Sequence, residues 1–189
     1  MSLHPDQQRA LDYLRRKGTE APLDMLRAKV TEGLRRFEER LRTVPEELRA
    51  RRPAPGKWSV HEVVDHLVAT NRPALEELRS LLSGRRPESG PIPAGLTSAD
   101  PFARSWSEAV ADLEEAHRQF LALLDAASED ADLTVRAPLV MVVKVDGKPV
   151  EWSEELDWKM YAAALRAHTL EHLAQVERTL AAVQPSVRH

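Results

Sequence analysis

Two histidines near the carboxyl end of the sequence have the spacing of a metal-binding pair. His168 and His172 lie four residues apart in a stretch with helical periodicity, so their side chains project about 40° apart and about one turn apart along the axis. Two imidazoles arranged in this way can reach one metal ion. The apolar residues of the same stripe are Leu165, Val176, Leu180 and Val183. The pair is therefore predicted to point inward, and a third ligand is required from a facing helix.

The remaining histidines include two candidates for that third ligand. The sequence has seven histidines, of which His4 and His189 are close to its two ends. His61 is predicted to lie on the polar side of the first turn of a helix, whereas His66 and His117 fall on apolar stripes. If the helix of His66 runs antiparallel to the helix of the pair, the rings reach a similar height. This arrangement favours His66 and leaves His117 open as the alternative.

Composition limits the classes of function. A chain of 189 residues with 42% apolar and 30% charged residues is typical of one globular domain. A formal net charge of -3 gives no argument for a nucleic-acid or membrane partner. The absence of cysteine excludes disulfides, thiolate ligands and a cysteine nucleophile. With no apolar run of membrane-spanning length and no signal peptide, a cytoplasmic location is expected.

Four long amphipathic helices are predicted to position the histidines. Apolar residues recur at spacings of three and four over approximately residues 22–42, 59–82, 101–127 and 153–183, after a short helix at 5–17. Ser59, Asp100 and Ser153 are the predicted N-caps of the last three long helices. Pro73 is expected to kink or split the second of them. The long connection between the second and third helices permits a crossover.

A change of period after the third long helix predicts a β-hairpin. Residues 139–145 are mostly β-branched, and Asp146-Gly147 is typical of a two-residue type I′ turn before a second strand at 148–152. The predicted fold class is therefore all-α, an up-down-down-up four-helix bundle with a small β-hairpin between helices three and four. Residues 1–18 are expected to form an N-terminal extension with a short helix, and residues 19–185 the bundle domain.

Two sequence segments resemble one protein family. Residues 56–67, Gly-Lys-Trp-Ser-Val-His-Glu-Val-Val-Asp-His-Leu, and the downstream His168-(three residues)-His172-Leu-Ala-Gln are similar to the DinB-like superfamily, which includes YfiT-like metal hydrolases and thiol-dependent transferases. The resemblance extends over residues 20–185 and implies an often dimeric bundle in which His66, His168 and His172 hold a divalent metal. Many members have Arg-Gly-Gln where this sequence has Leu-Ala-Gln. That departure is expected to affect helix packing and not ligation.

Three neutral imidazoles leave coordination positions open, as in reactive metal sites. Zn, Ni, Fe and Mn all accept such ligands. With bound water as the nucleophile the protein is expected to be a hydrolase of a small molecule. With an exogenous low-molecular-weight thiol it is expected to be an S-transferase. The carboxylates next to the histidines, Glu62, Asp65 and Glu171, point elsewhere on their helices, so the sequence assigns no general base.

The alternative from a different class is a non-catalytic bundle. Such a protein would bind a metal or small molecule without turnover, or would serve as a dimerisation module. His117 is interpreted as a hydrogen-bonded structural residue, because it lies among aromatic and aliphatic residues of its stripe. The tryptophans are interpreted as packing residues. A homodimer is expected from the family resemblance.

Overall fold

A computed structural model of the protein describes residues 3–184. The elements in chain order are α1 (Pro5–Lys17), α2 (Leu23–Arg42), a 3₁₀ turn (Glu46–Leu48), α3 (Val60–Leu82), α4 (Trp106–Ala126), β1 (Ala137–Val145), β2 (Lys148–Leu156) and α5 (Trp158–Val183). The four long helices form the bundle, and the two strands pair in an antiparallel hairpin before the last helix. The predicted fold class is confirmed. Among the described residues, no helix combines the length and apolar character needed to cross a membrane.

Contacts between side chains fix the directions of α2 and α5. Near the end of both helices, Arg40 Nε lies 2.7 Å from Glu177 Oε1. Nearer the start of both helices, Arg166 Nε donates to the Lys29 carbonyl at 2.8 Å. Early residues meet early residues and late meet late, so α2 and α5 are parallel neighbours.

The other two long helices run in the opposite direction. Tyr161, near the start of α5, bonds to Glu77 near the end of α3, so these two helices are antiparallel. Arg27, early in α2, donates to the carbonyl of Leu124 late in α4 at 2.7 Å, which makes this pair antiparallel as well. The order of directions is therefore up-down-down-up, as the sequence predicted.

The connection between α3 and α4 must return along the bundle, because these consecutive helices are parallel. We call residues 83–105 the crossing connection. Ser89 Oγ donates to Glu77 at 2.9 Å, and the Leu96 carbonyl lies 2.6 Å from His66 Nδ1. Since Glu77 accepts a hydrogen bond from α5 and His66 lies against His168 of α5, the crossing connection lies over the seam between α3 and α5.

The start of α3 follows its local sequence. Ser59 Oγ accepts the Glu62 amide at 3.3 Å, and Glu62 Oε2 accepts the Ser59 amide at 2.8 Å. This reciprocal capping box satisfies two amides that the first turn leaves free. Pro73 lies inside the helix without splitting it. The helix that begins at this cap therefore continues without a break through His66 and Glu77.

The start of α4 differs from the prediction. The helix begins at Trp106, after Ser105, whose hydroxyl accepts the Glu108 amide at 3.3 Å in a second capping box. Asp100, the predicted N-cap, instead accepts the Phe102 amide at 3.0 Å in a turn. The sequence offers two capping signals five residues apart, and the stronger reciprocal one starts the helix.

The start of α5 was also predicted too early. Ser153 lies in β2 opposite Val140, and the helix begins after Asp157, whose Oδ1 accepts the Met160 amide at 2.9 Å. The second strand therefore continues to Leu156. Pairing with β1 keeps residues 153–156 extended, and this pairing takes precedence over the local preference of Ser153 for a helix start.

The hairpin turns at the predicted position. Asp146 has φ 49° and Gly147 has φ 79°, and positive values at both residues are those of a type I′ turn. At its base, Ala137 and Leu156 are fully buried in the core. A two-stranded sheet is marginal by itself, so packing against the helices stabilises it.

The buried apolar residues form two clusters along the bundle. One cluster includes the amino-terminal parts of α2 and α5, and the other their carboxyl-terminal parts. On α5 the two clusters are separated by residues 165–175, the stretch that carries His168 and His172. Helix α1 packs against α5 and β1 through Leu14 and its neighbours. The division into an extension at 1–18 and a domain at 19–185 stays a prediction.

Candidate metal centre

His66 is placed by the second turn of α3 with its ring facing α5. The side chain is 1% exposed, and its Nδ1 lies 2.6 Å from the carbonyl oxygen of Leu96. A carbonyl oxygen can only accept, so Nδ1 carries the proton of the neutral ring. The lone pair of His66 is therefore on Nε2, the atom that faces the other two histidines.

The pair on α5 completes a convergent set of nitrogens. His168 Nε2 lies 3.1 Å from His66 Nε2 and 3.0 Å from His172 Nε2. The three ligand atoms all lie within 4.8 Å of one another. Two nitrogens bound to one ion at about 2.1 Å are separated by roughly 3.0–3.4 Å at octahedral to tetrahedral angles. The distances to His168 match that range.

The proton of His172 is also held away from the centre. Its Nδ1 lies 2.9 Å from Gln175 Oε1, one turn further along α5. With the amide oxygen accepting, Nδ1 is the donor and the Nε2 lone pair is left facing the other rings. Two of the three imidazoles are thus fixed in the tautomer that a metal ligand requires.

Burial keeps these imidazoles neutral. It is the main cause that lowers the pKa of His66, and it lowers the pKa of His168 well below the ordinary value. Burial, followed by the proximity of His66, lowers the pKa of His172 to about 4. Neutral rings with lone pairs directed at one point form a donor set for a divalent cation of intermediate softness.

Trp58 forms one wall of the centre. Its ring centroid lies 4.9 Å from that of His66 and 6.3 Å from that of His172, at 25° to the latter. From the sequence Trp58 is interpreted as a packing residue, whereas the structure places it at the site. Its position directly before the N-cap of α3, within the segment that resembles the family, is the signal that could have indicated it.

The neighbouring carboxylates are engaged with other groups, as the sequence indicated. Asp65 is buried and accepts from Ser98. Glu62 is used in the cap of α3 and pairs with Arg52. Glu171 lies on the exposed face of α5. None of these contacts involves the three Nε2 atoms, so the structure identifies no general base among them.

His117, the alternative third ligand, lies at a different seam. It is 1% exposed, and its Nδ1 lies 2.8 Å from Glu38 Oε1 on α2. The ring is thus held between α2 and α4, whereas the pair on α5 faces α3. The structure brings His66 to the pair and assigns His117 to a buried hydrogen bond.

One other histidine differs from its predicted position. His61 is only 6% exposed and packs edge-to-face against Phe102 and Trp106, at centroid distances of 5.1 and 5.8 Å. It was predicted on the polar side because the fold of the crossing connection over this face could not be anticipated. His4 caps α1, and His189 lies outside the described residues.

Comparison with known proteins identifies the family. Residues 29–176 match the sequence model of the DinB superfamily, which is well over half of the chain. The chain belongs to the DinB superfamily. The resemblance found in the sequence is thereby confirmed. No curated protein matches this DinB-superfamily chain.

Three solved structures share its fold. A protein of Exiguobacterium sibiricum described as a DinB-family member is 18% identical, with a TM-score of 0.52 over 88% of this chain and 95% of its own. YfiT from Bacillus subtilis, described as a probable metal-dependent hydrolase with an unusual four-helix bundle topology, is 18% identical, with a TM-score of 0.53 over 84% and 87%. The four-helix bundle protein TT2238 is 17% identical, with a TM-score of 0.50 over 82% and 99%. At these identities the likeness concerns the fold.

Proposed function

We propose that this DinB-superfamily protein is a metal-dependent enzyme in which His66, His168 and His172 hold one divalent ion. The convergence of three Nε2 atoms, two at 3.0 and 3.1 Å from the third, is the observation that carries the proposal. Without a cation, a proton on His168 Nε2 can be donated to only one of the two flanking lone pairs, and the other close pair of nitrogens is left without a partner. A shared ion turns this arrangement into a favourable one.

The residues of the site limit what the ion can be and what it can do. Three imidazoles suit Zn, Ni, Fe or Mn and exclude a closed four-ligand structural site of protein groups alone. A divalent ion held by them would lower the pKa of a bound water toward neutrality and would deprotonate a bound thiol. Trp58 lies beside His66 and His172, the crossing connection contacts His66 through Leu96, and His168 is the partly exposed member of the site.

Two nucleophiles fit this site. Water gives a hydrolase, and the description of YfiT as a probable metal-dependent hydrolase supports that choice. An exogenous low-molecular-weight thiol gives an S-transferase. The chain has no cysteine, so a thiol must come from solution. In both reactions a small-molecule substrate is expected to approach from the side of His168.

Elemental analysis of the purified protein tests the proposal first. We expect about one equivalent of a divalent transition metal, lost in His168→Ala and retained in His117→Gln, which removes a buried imidazole outside the site. Metal-loaded protein is then assayed with esters and amides, and with thiols plus an electrophile. Turnover that depends on the metal supports the enzyme. A metal content equal in His168→Ala and wild type contradicts the site.

A non-catalytic binding protein is the second candidate, and one observation favours it. His66 and His172 are almost fully buried, and Trp58 lies against both rings. Such enclosure suits an ion that is bound without taking part in a reaction. Metal-loaded protein without turnover on any of these substrates would make this candidate the better one.

A further inference from the structure

Adjacent residues on α3 hold one short segment of the crossing connection. Asp65 Oδ2 accepts the Ser98 amide at 2.9 Å, and Asp65 Oδ1 accepts the Ser98 hydroxyl at 2.7 Å. The next residue, His66, donates from Nδ1 to the Leu96 carbonyl at 2.6 Å. We call these three hydrogen bonds the 96–98 contact.

The 96–98 contact determines where the acceptor of His66 lies. Consecutive side chains on a helix project about 100° apart, so Asp65 and His66 reach the segment from two directions. Asp65 is 2% exposed, and a buried carboxylate is stable only when it is hydrogen-bonded. Both hydrogen bonds that Asp65 accepts from this segment come from Ser98. They hold Ser98 against α3 and thereby fix the position of the Leu96 carbonyl, two residues earlier in the chain.

The orientation of the His66 ring depends on that carbonyl. Free of an acceptor at Nδ1, a neutral imidazole exchanges tautomers and rotates about χ2, and its Nε2 lone pair is no longer held toward His168. Outer contacts of this kind typically change metal affinity by about 10–100-fold. Leu96 contributes a backbone atom, so side-chain substitution there cannot remove the bond, but substitution at Ser98 can displace it.

We infer that Asp65 and Ser98 are positioning residues for His66, and that closure of the crossing connection is linked to metal occupancy. This inference rests on the proposed metal binding by His66. Because linkage is reciprocal, the factor by which the closed segment tightens metal binding equals the factor by which the metal favours closure. The conformation of the crossing connection, on the outside of the bundle, therefore depends on whether the metal is bound.

The inference is tested by the zinc affinity of variants, measured in competition with a chromophoric chelator. Ser98→Ala is expected to weaken affinity about 10-fold or more, and Ser98→Thr, which keeps the hydroxyl, to retain most of it. Ser89→Ala is the matched control. It releases the same connection at Glu77, eleven residues along α3 from His66, and is expected to leave affinity unchanged.

Hydrogen exchange of the Ser98 amide in the wild-type protein is the second readout. Zinc is expected to slow this exchange, and His168→Ala to abolish the zinc effect. If wild-type protein binds no zinc, the proposed function fails together with its consequence. Two results with a wild-type protein that binds zinc tightly would overturn the linkage alone. One is an equal zinc affinity in Ser98→Ala, and the other is an exchange rate of the Ser98 amide that zinc does not change. The exchange result decides the question if Ser98→Ala does not fold.

Discussion

The position of single protons decides what the three histidines can bind. In His66 and His172, Nδ1 carries the proton and donates a hydrogen bond to an oxygen atom, so both Nε2 atoms have free lone pairs. A histidine cluster with free tautomers could form alternating hydrogen bonds among its own rings. Here the outer acceptors leave the Nε2 atoms of both His66 and His172 without protons, so within the cluster only His168 Nε2 could donate, and to only one of them at a time.

Replacing His168 or His172 by Ala should abolish tight metal binding, since two remaining imidazoles rarely hold a divalent ion. The loss of affinity should exceed the roughly 10–100-fold expected for an outer contact. Chelator competition measures it, with circular dichroism to verify the fold. The melting temperature of the metal-free variants should change little. Equal affinity in His168→Ala and wild type would refute the ligand assignment.

Gln175 should act through His172. Gln175→Leu removes the acceptor of Nδ1 and is expected to weaken metal affinity about 10–100-fold. Gln175→Glu keeps an acceptor oxygen and is expected to restore most of the affinity. Absorption spectra of cobalt-loaded variants report the change in ligand geometry. If Leu and Glu at this position give the same affinity, Gln175 has a packing role only.

Metal-free protein should lose stability as the pH falls. Burial lowers the folded-state pKa of His172 from 6.5 to about 4, and the pKa of His66 is lowered also. Between the folded and unfolded values the unfolded chain binds more protons, so the free energy of unfolding rises with pH. The stability is fully present above about pH 6.5 and is lost toward pH 4. Urea unfolding across this range measures it, and His172→Gln should show a shallower dependence.

At the scale of the elements, local sequence was sufficient where one signal stood alone. The capping box of α3 and the turn of the hairpin were both predicted at the correct residues. It failed where two signals competed. Asp100 and Ser105 can each cap a helix, as can Ser153 and Asp157. The reciprocal capping box of Ser105 with Glu108 decided the start of α4, and the pairing of β2 with β1 decided the start of α5. Helical periodicity contains neither signal.

The same limit applied to the candidate site. Periodicity placed His66 and His117 on inward faces, but it contains no information on which helix is the lateral neighbour of α5. The family motif supplied that choice. The contact of Leu96 with His66 could not be predicted, because it is made by a backbone atom of a connection without regular structure.

The cap of α5 gives a test at this scale. Asp157→Ala removes the acceptor of the Met160 amide and should lower the free energy of unfolding by about 1 kcal/mol. Ser153→Ala, at the predicted but incorrect cap, should change it by less than about 0.5 kcal/mol. Denaturant titration of both variants makes the comparison. A larger effect at Ser153 would contradict the observed helix start.

For the whole molecule we predict a two-fold homodimer. Members of the superfamily that the sequence resembles are often dimeric, and the surface includes large apolar side chains that a second copy could cover. Those exposed residues are Tyr13, Met25, Phe102 and Val142. Light scattering at micromolar concentration should give twice the chain mass of 21.3 kDa. A mass of one chain at that concentration would show the prediction to be wrong.

The contact between α3 and α5 at the three histidines has a consequence for the order of events during synthesis. His66 meets a partner 102 residues later in the chain, on a helix that leaves the ribosome after the other three helices of the bundle. The parallel pair α3 and α4 can pack before α5 has been made, yet no shortened or stalled chain lacking α5 presents the three histidines together. Contacts of such long sequence separation form late in folding. Chains that lack α5 therefore do not present the proposed site, and metal loading waits until α5 has been made and has packed against α3.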